Sequence, residues 1–174
     1  MAGQAIWVFD TSALGEIRAI VGKAGEKAIF QGLTELLQSD ALVYPSQVVA
    51  ELEKRGGTDP GFLPYHWARL YKKQATRFEP VFEEVRRVLE HPQTRHILDP
   101  NKPDQPEEAD PYILAMAIKI KKTGDIPTVI SQEIKDRAGK MSIASACGLH
   151  QLLSLRVEPF LVDRGLLEYR DRNH

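Results

Sequence analysis

Short apolar runs alternate with longer stretches of helical periodicity along the whole chain. Three compact runs have the character of strands buried on both faces of a sheet: 5–9, 41–44 and 128–131. Apolar residues recur at helical spacing in six further segments: 26–38, 46–55, 65–78, 81–90, 108–121 and 143–149. The pattern is completed by three weaker elements: a short helix after Asp10 that Gly22 and Gly25 end, a last strand at 155–157, and a helix from Pro159.

This alternation predicts an α/β fold with a central, mainly parallel sheet. We find no internal repeat, and the length suits a single domain covering 1–174. A helical insertion at about 59–91 carries an amphipathic stretch whose apolar face includes Trp67 and Leu70. The polar segment at about 92–107 contains little that could be buried, so it predicts an exposed loop, either a connector or a flap over a site.

Composition narrows the class of protein. The chain is 43% hydrophobic and 27% charged, with a net charge of −1, as in soluble globular domains. Near-neutrality argues against a passive nucleic-acid coat, but not against a nuclease in which metal ions add positive charge. The single cysteine, Cys147, predicts a buried apolar residue in a reducing, cytoplasmic setting. We expect no membrane association, since no leader and no spanning apolar run are visible.

Four acidic residues follow predicted strands or begin predicted helices. Asp10 follows the first strand, Glu51 lies in the helix after the second, Asp110 begins the long apolar helix, and Glu133 comes two residues after Ser131. Ligands of open α/β sheets bind at the carboxyl ends of the strands, so we expect these carboxylates to gather at one edge. Clustered carboxylates repel one another, and Mg²⁺ or Mn²⁺ relieves that repulsion. The pattern predicts a site where metal-activated water attacks a phosphodiester in line.

Each acid also has a structural interpretation. Asp10 and Asp110 would cap helices, and Glu51 and Glu133 would be solvated surface residues. A haloacid-dehalogenase phosphatase also begins with a strand that ends in Asp, but it needs a second Asp where this chain has Ser12. A nucleotide-binding Rossmann domain would need a glycine-rich turn after the first strand, which is absent.

Basic residues could guide a phosphate backbone into such a site. Lys135, Arg137 and Lys140 follow the last acid, so we assign them to substrate binding. A second stripe in the insertion is better explained as a solvated helix face: Arg69, Lys72, Lys73 and Arg77.

Four motifs now stand in order along most of the chain: 8–14 (VFDTSAL), 45–52 (PSQVVAEL), 109–117 (ADPYILAMA) and 129–133 (VISQE). With these motifs the chain resembles the PIN-domain ribonucleases, including the VapC-like toxins of bacterial toxin–antitoxin pairs. The first and third motifs are fairly specific, and the second is weaker. The resemblance implies a PIN-like three-layer α/β/α fold with a central, mainly parallel sheet.

The resemblance also implies an activity: metal-dependent hydrolysis of single-stranded RNA, or in some members of DNA flaps. It implies an antitoxin protein as a partner if the chain is a toxin, and a homodimer, which the family often forms. The positions that match the family's metal-binding acids and their supporting hydroxyl residues are Asp10, Glu51, Asp110, Glu133, Thr11 and Ser131.

One departure from the family concerns the last acid, which is more often Asp in the family and here is Glu133. Its greater length would either shift the geometry of the metal site or leave Asp136 to share the role. The rival function is a PIN-like module that binds RNA or a protein without cutting.

Overall fold

The central feature of the fold is a four-stranded, entirely parallel sheet flanked by helices. The computed structural model describes residues 2–102 and 108–167. Within them the strands are β1 (Ala5–Phe9), β2 (Leu42–Val43), β3 (Ile126–Ile130) and β4 (Leu153–Leu155). Their spatial order is β2-β1-β3-β4, and every pairing is parallel. The predicted α/β class with a parallel sheet is confirmed, and the layers are consistent with a three-layer α/β/α arrangement.

Helices connect these strands, in the alternation with strands that the sequence pattern predicts. In chain order they are α1 (Thr11–Gln38), α2 (Ser46–Gly56), α3 (Leu63–Leu70), α4 (Lys72–Ala75), α5 (Phe82–Glu90), a 3-10 helix (Thr94–Ile97), α6 (Ala109–Lys122), α7 (Ile143–Leu149) and α8 (Val157–Asp163). The helix predicted at 143–149 has those bounds in the structure, and its Cys147 is buried as expected. Over the described residues, no helix has both the length and the hydrophobicity that crossing a bilayer requires.

The register of β1 and β3 brings their carboxyl ends to the same level. Phe9 pairs with Ile130 across the two strands, and both side chains are fully buried. The next residue of each strand stays tied to the sheet, because the Asp10 amide donates to the Ile130 carbonyl at 2.9 Å. Similarly, the Ser131 amide donates to the Leu155 carbonyl at 3.0 Å. Asp10 and Ser131 therefore leave the sheet side by side.

Helix α1 corrects the expected break after the first strand. Gly22 interrupts it with φ 72° and ψ 169°, a conformation that favours glycine, and the helix then resumes as far as Gln38. Gly25 is helical, so its assignment as a chain break was wrong. The helix begins where predicted, because the Asp10 side chain accepts the Thr11 amide and caps it.

The insertion also differs from the prediction. The amphipathic stretch at 65–78 is two helices, α3 and α4, and Leu70 is 73% exposed rather than buried. The buried face of α3 is centred on Pro64 and Ala68. Two residues turn a helix by roughly 200°, so Leu70 points away from that face. Trp67 is buried as expected and donates its indole N–H to the Thr34 hydroxyl at 2.8 Å.

Part of the segment expected to be an exposed loop is buried. Thr94 and Ile97, in the 3-10 helix, are fully buried, so that expectation was wrong for these residues. The Thr94 hydroxyl donates to the Val88 carbonyl at 2.7 Å, which fixes the turn against α5. The rest of the predicted loop includes 103–107, which lie outside the described residues.

Smaller differences concern the ends of elements. Helix α6 begins at Ala109, so Pro111 is its third residue rather than its first. The ring is still tolerated there, because the first-turn N–H groups have no helical acceptor. Strand β4 ends at Leu155, whereas a strand at 155–157 was expected, and α8 begins at Val157 rather than at Pro159.

Tyr44→Phe is expected to destabilise the fold by about 1 kcal/mol, the usual net value of one hydrogen bond. Tyr44 is fully buried directly after β2, and its hydroxyl donates to the Ala68 carbonyl at 2.8 Å. Removing the hydroxyl leaves the ring packing in place and deprives α3 of that tether. Urea denaturation of the two proteins measures the change, and an unchanged midpoint would contradict this contribution.

Candidate functional site

An open pocket of about 210 Å³ lies at the carboxyl ends of β1 and β3. One water needs only about 10–15 Å³ on the same measure, so the pocket has room for several waters or a hydrated ion. Its charged lining comprises five carboxylates and five basic side chains: Asp10, Glu51, Glu108, Asp110, Glu133, Lys54, Arg55, Lys102, Arg137 and Lys140. All four sequence-predicted acids thus lie on one pocket.

Asp10 is the most enclosed of these acids, at 2% exposure. The Ser12 and Ser131 hydroxyls each donate to its Oδ2 at 2.7 Å, and the Thr11 amide donates to its Oδ1 at 2.7 Å. Burial raises the pKa of Asp10 to about 6. The hydrogen bonds from Ser131 and Ser12 lower this pKa, and the negative charges of Glu133 and Glu51 raise it further. Its charge is therefore unfavourable unless a cation is near.

The same two hydroxyls organise the segment after β3. Ser12 Oγ accepts the Gln132 amide at 3.0 Å, and Ser131 Oγ accepts the Glu133 amide at 3.1 Å. Each serine therefore joins the first acid to the backbone that carries Glu133. This arrangement follows from the register of β1 and β3, which places the hydroxyl oxygens of Ser12 and Ser131 3.3 Å apart.

Glu51 connects three helices. Its Oε2 accepts the Thr11 hydroxyl at 2.5 Å, and its Oε1 accepts the Ala109 amide at 2.9 Å. The Ala109 amide is one of the N–H groups at the start of α6 that lack a helical acceptor, so a carboxylate is favoured there. Both oxygens of Glu51 thus have structural partners within α1 and α6.

Asp110 and Glu133 share a cation supplied by the chain itself. The Lys140 ammonium donates to Asp110 Oδ2 at 2.8 Å and to Glu133 Oε2 at 3.1 Å. Burial, with the charges of Asp10 and Glu133, raises the pKa of Asp110 well above its usual value, and Lys140 opposes that rise. Burial alone would lower the pKa of Lys140, but the two carboxylates outweigh it and raise that pKa.

The donor set suits a hard divalent cation in kind. Carboxylate oxygens are the ligands that Mg²⁺ and Mn²⁺ prefer, and five carboxylates, the four predicted acids among them, line this pocket. In the described residues, however, no three Asp, Glu, His or Cys side chains form a group that could hold a metal as they stand. Lys140 lies between Asp110 and Glu133, and Glu51 is directed to Thr11 and Ala109. Metal binding would require these side chains to rearrange.

The other predicted site residues are distributed unevenly. Asp136 is exposed and outside the pocket lining, and its carboxylate accepts the Ser142 amide at 2.8 Å. Lys135 is also exposed and outside the lining. Arg137 lines the pocket and lies 3.6 Å from Asp99 Oδ2.

The capping alternatives are resolved differently at the two aspartates. Asp10 does cap α1 while also lining the pocket, so its structural interpretation is confirmed alongside its placement in the site. Asp110 does not cap α6, because Glu108 occupies the cap position and Asp110 is the second helical residue.

Sequence reasoning missed several pocket residues. Lys54 and Arg55 follow Glu51 by three and four positions on α2, the spacing at which helical residues share a face. That spacing could have identified them. Glu108 and Lys102 flank the segment 103–107 and carried no comparable signal. The stripe in the insertion, represented by Arg69 and Arg77, is not part of the lining.

Comparisons of the chain with known protein families, with curated proteins and with solved structures gave no significant match in any of the three. The interpretation of the pocket therefore depends on its own chemistry.

Proposed function

We propose that the protein is a metal-dependent nuclease that hydrolyses phosphodiester bonds, with single-stranded RNA as its preferred substrate. The observation that carries this proposal is the convergence of Asp10, Glu51, Asp110 and Glu133 on one pocket at the carboxyl edge of the sheet. Such an edge is where open α/β sheets bind their ligands. Basic side chains around the same pocket would favour an anionic polymer.

In this proposal the four acids hold Mg²⁺ or Mn²⁺, and Thr11 and Ser131 orient them. The bound metal would activate a water and offset charge at the reacting phosphate. The protein contributes a fixed position for Asp10, whose Oδ2 is held by the Ser12 and Ser131 hydroxyls. Because burial makes the charge of Asp10 unfavourable, the pocket is electrostatically suited to receive a cation.

The basic lining has a separate role. Lys54 and Arg55 lie next to Glu51 on α2, and Arg137 approaches from the segment after β3. We infer that these side chains contact backbone phosphates on two sides of the scissile bond. Contacts of this kind weaken steeply with salt, so substrate binding should fall as ionic strength rises.

A specific observation favours a second candidate, a PIN-like module that binds RNA or a protein without cutting. Lys140 already forms ion pairs with Asp110 and Glu133, and both Glu51 oxygens have partners within the fold. A pocket so satisfied could persist without metal. Tests of metal binding and of cleavage separate the two candidates.

Finer features of the proposal follow from the family resemblance. They are the PIN-like form of the fold, a homodimer, and an antitoxin partner if the protein is a toxin. The cytoplasmic location is proposed separately, from the single cysteine Cys147. DNA remains the alternative polymer, and Asp136 and Lys135 remain assigned to metal support and substrate contact.

The proposal is tested by incubating the protein with a mixed panel of single-stranded RNA and DNA in Mn²⁺, Mg²⁺ or EDTA. We expect cleavage of RNA with either metal and none in EDTA. Asp110→Asn is expected to lower the rate on the order of 10²-fold, the scale observed when one electrostatic catalytic group is removed. Asp163→Asn removes an exposed carboxylate of α8 and serves as the matched control. Full activity in Asp110→Asn, or no cleavage by the folded wild type, would contradict the proposal.

A further inference from the structure

Lys140 reaches the pocket from a tight turn. The Arg137 amide donates to the Lys140 carbonyl at 2.9 Å, and the Lys140 amide donates back to the Arg137 carbonyl at 3.0 Å. Gly139, inside the turn, has φ 72°, which a type II turn requires at its third position. The following amide, of Met141, donates to the His96 carbonyl at 2.7 Å. The backbone therefore fixes the direction from which Lys140 enters.

The ammonium group is fully engaged there. Lys140 is only 6% exposed, and its three donors have three acceptors: Asp110 Oδ2, Glu133 Oε2 and the Met141 carbonyl at 3.3 Å. A buried ammonium without such partners is strongly unfavourable. Its position among oxygen acceptors is that of a bound cation, with the difference that a side chain tethers it to the protein.

Lys140 and a divalent metal would need the same carboxylates. In the proposed function Asp110 and Glu133 are metal ligands, and in the structure one oxygen of each already binds the ammonium. Like charges a few ångströms apart repel strongly in a partly desolvated pocket. The ammonium and the metal are therefore expected to exclude each other from these two acids.

We propose that Lys140 is a tethered cation that competes with the divalent metal for Asp110 and Glu133. The proposal deepens the nuclease assignment and rests on it. Without metal, Lys140 holds the two carboxylates together and preserves the pocket. When metal binds, the ammonium leaves them and stands among the basic side chains of the pocket, where it can contact substrate phosphate. Lys140 thereby lowers the metal affinity of the site.

The direct test is to titrate Lys140→Met and the wild type with Mn²⁺ in the absence of substrate. Electron paramagnetic resonance and calorimetry measure the binding. Methionine keeps much of the length of the side chain and removes its charge. We expect Mn²⁺ affinity to rise at least about tenfold, and the metal-free protein to melt at a lower temperature because Asp110 and Glu133 lose their counter-ion. Saturating Mn²⁺ should then raise the melting temperature more in the variant than in the wild type.

The matched control is Lys27→Met, which removes an exposed lysine of α1 outside the pocket. It makes the same change in net charge and should leave Mn²⁺ affinity unchanged. Equal or weaker Mn²⁺ affinity in Lys140→Met would overturn the competition. An equal rise in the Lys27 control would assign the effect to net charge and overturn it as well.

A measurement on the wild type keeps the proposal testable if Lys140→Met does not fold. Nitrogen-15 NMR of the Lys140 ammonium should report a group bonded to carboxylates in EDTA. On saturation with diamagnetic Mg²⁺, its resonance should shift and the ammonium protons should exchange faster with solvent. A resonance unchanged by saturating Mg²⁺ would show that the ammonium does not leave.

The outcomes separate this inference from the proposed function. Tighter Mn²⁺ binding in Lys140→Met without cleavage by any form of the protein would support the competition and overturn the nuclease assignment. Metal-dependent cleavage, with the Mn²⁺ affinity of Lys140→Met equal to that of the wild type, would support the nuclease assignment and overturn the competition. If neither protein binds Mn²⁺, both are wrong.

Discussion

Asp10→Asn is expected to abolish RNA cleavage while raising the stability of the metal-free protein at pH 8. Cleavage should fall by at least about 10³-fold, the scale found when one member of an interdependent catalytic group is removed. The rise in stability has an independent cause, since the wild-type Asp10 carboxylate is buried at 2% exposure among other acids. An amide in its place carries no charge to desolvate.

The sign of the stability effect follows from the pKa of Asp10. It is about 6 in the folded protein, against an ordinary value of 3.8. Between these values the folded state binds more protons than the unfolded state, so stability falls as pH rises through this window and stays low above it. The full effect corresponds to about 3 kcal/mol. Asparagine removes this penalty. If its side-chain oxygen accepts the Ser12 and Ser131 hydroxyls, however, its NH₂ group faces the Thr11 backbone N–H, which then loses its acceptor at a cost of about 1 kcal/mol.

Thermal melting in EDTA at several pH values measures the balance. At pH 8 the variant should exceed the wild type by roughly 1–2 kcal/mol, a few degrees for a chain of this size. At pH 4 the wild-type carboxyl is largely neutral in the fold, so the gain should vanish or reverse. Asp163→Asn, at an exposed aspartate, should change neither cleavage nor melting. A variant destabilised equally at pH 4 and pH 8 would contradict the assigned charge penalty.

The elements predicted correctly are those in which local pattern and tertiary burial agree. β1 and β3 are apolar runs in which three of the five residues are buried, and α7 has both a serine cap and an apolar stripe, so its bounds match the prediction. The convergence of the acids was also predictable in outline. It follows from parallel strands that end at one level, which places Asp10 beside Ser131.

Side-chain geometry within the site was not predictable in the same way. The position of Lys140 depends on a turn that Gly139 permits and on how far that turn reaches toward Asp110. Sequence spacing carries no information about a contact across 30 positions. Leu70 was misassigned for a different reason. The periodicity of a short helix does not fix which face meets the core when several apolar residues compete.

Phe160→Ala is expected to destabilise the protein by about 3–5 kcal/mol, the range for removal of a buried aromatic ring. Phe160 is fully buried in α8 and packs edge-on against two rings of β1. Its centroid lies 5.1 Å from that of Phe9 and 5.6 Å from that of Trp7. Such edge-to-face pairs contribute beyond the apolar area that they bury. Alanine would leave a cavity between the sheet and its last described helix.

This substitution also connects the core to the site. Phe9 is the last residue of β1 and directly precedes Asp10, so a cavity beside its ring would loosen the strand end that positions the first acid. We expect a large fall in the urea midpoint and, in the remaining folded protein, weaker Mn²⁺ binding. Phe82→Ala removes a ring that is 71% exposed on α5 and should change either property little. If the two alanine variants lost similar stability, the packing of α8 on β1 would not contribute as described. If Phe160→Ala lost stability but kept wild-type Mn²⁺ affinity, the position of Asp10 would depend on its own hydrogen bonds rather than on the core beneath it.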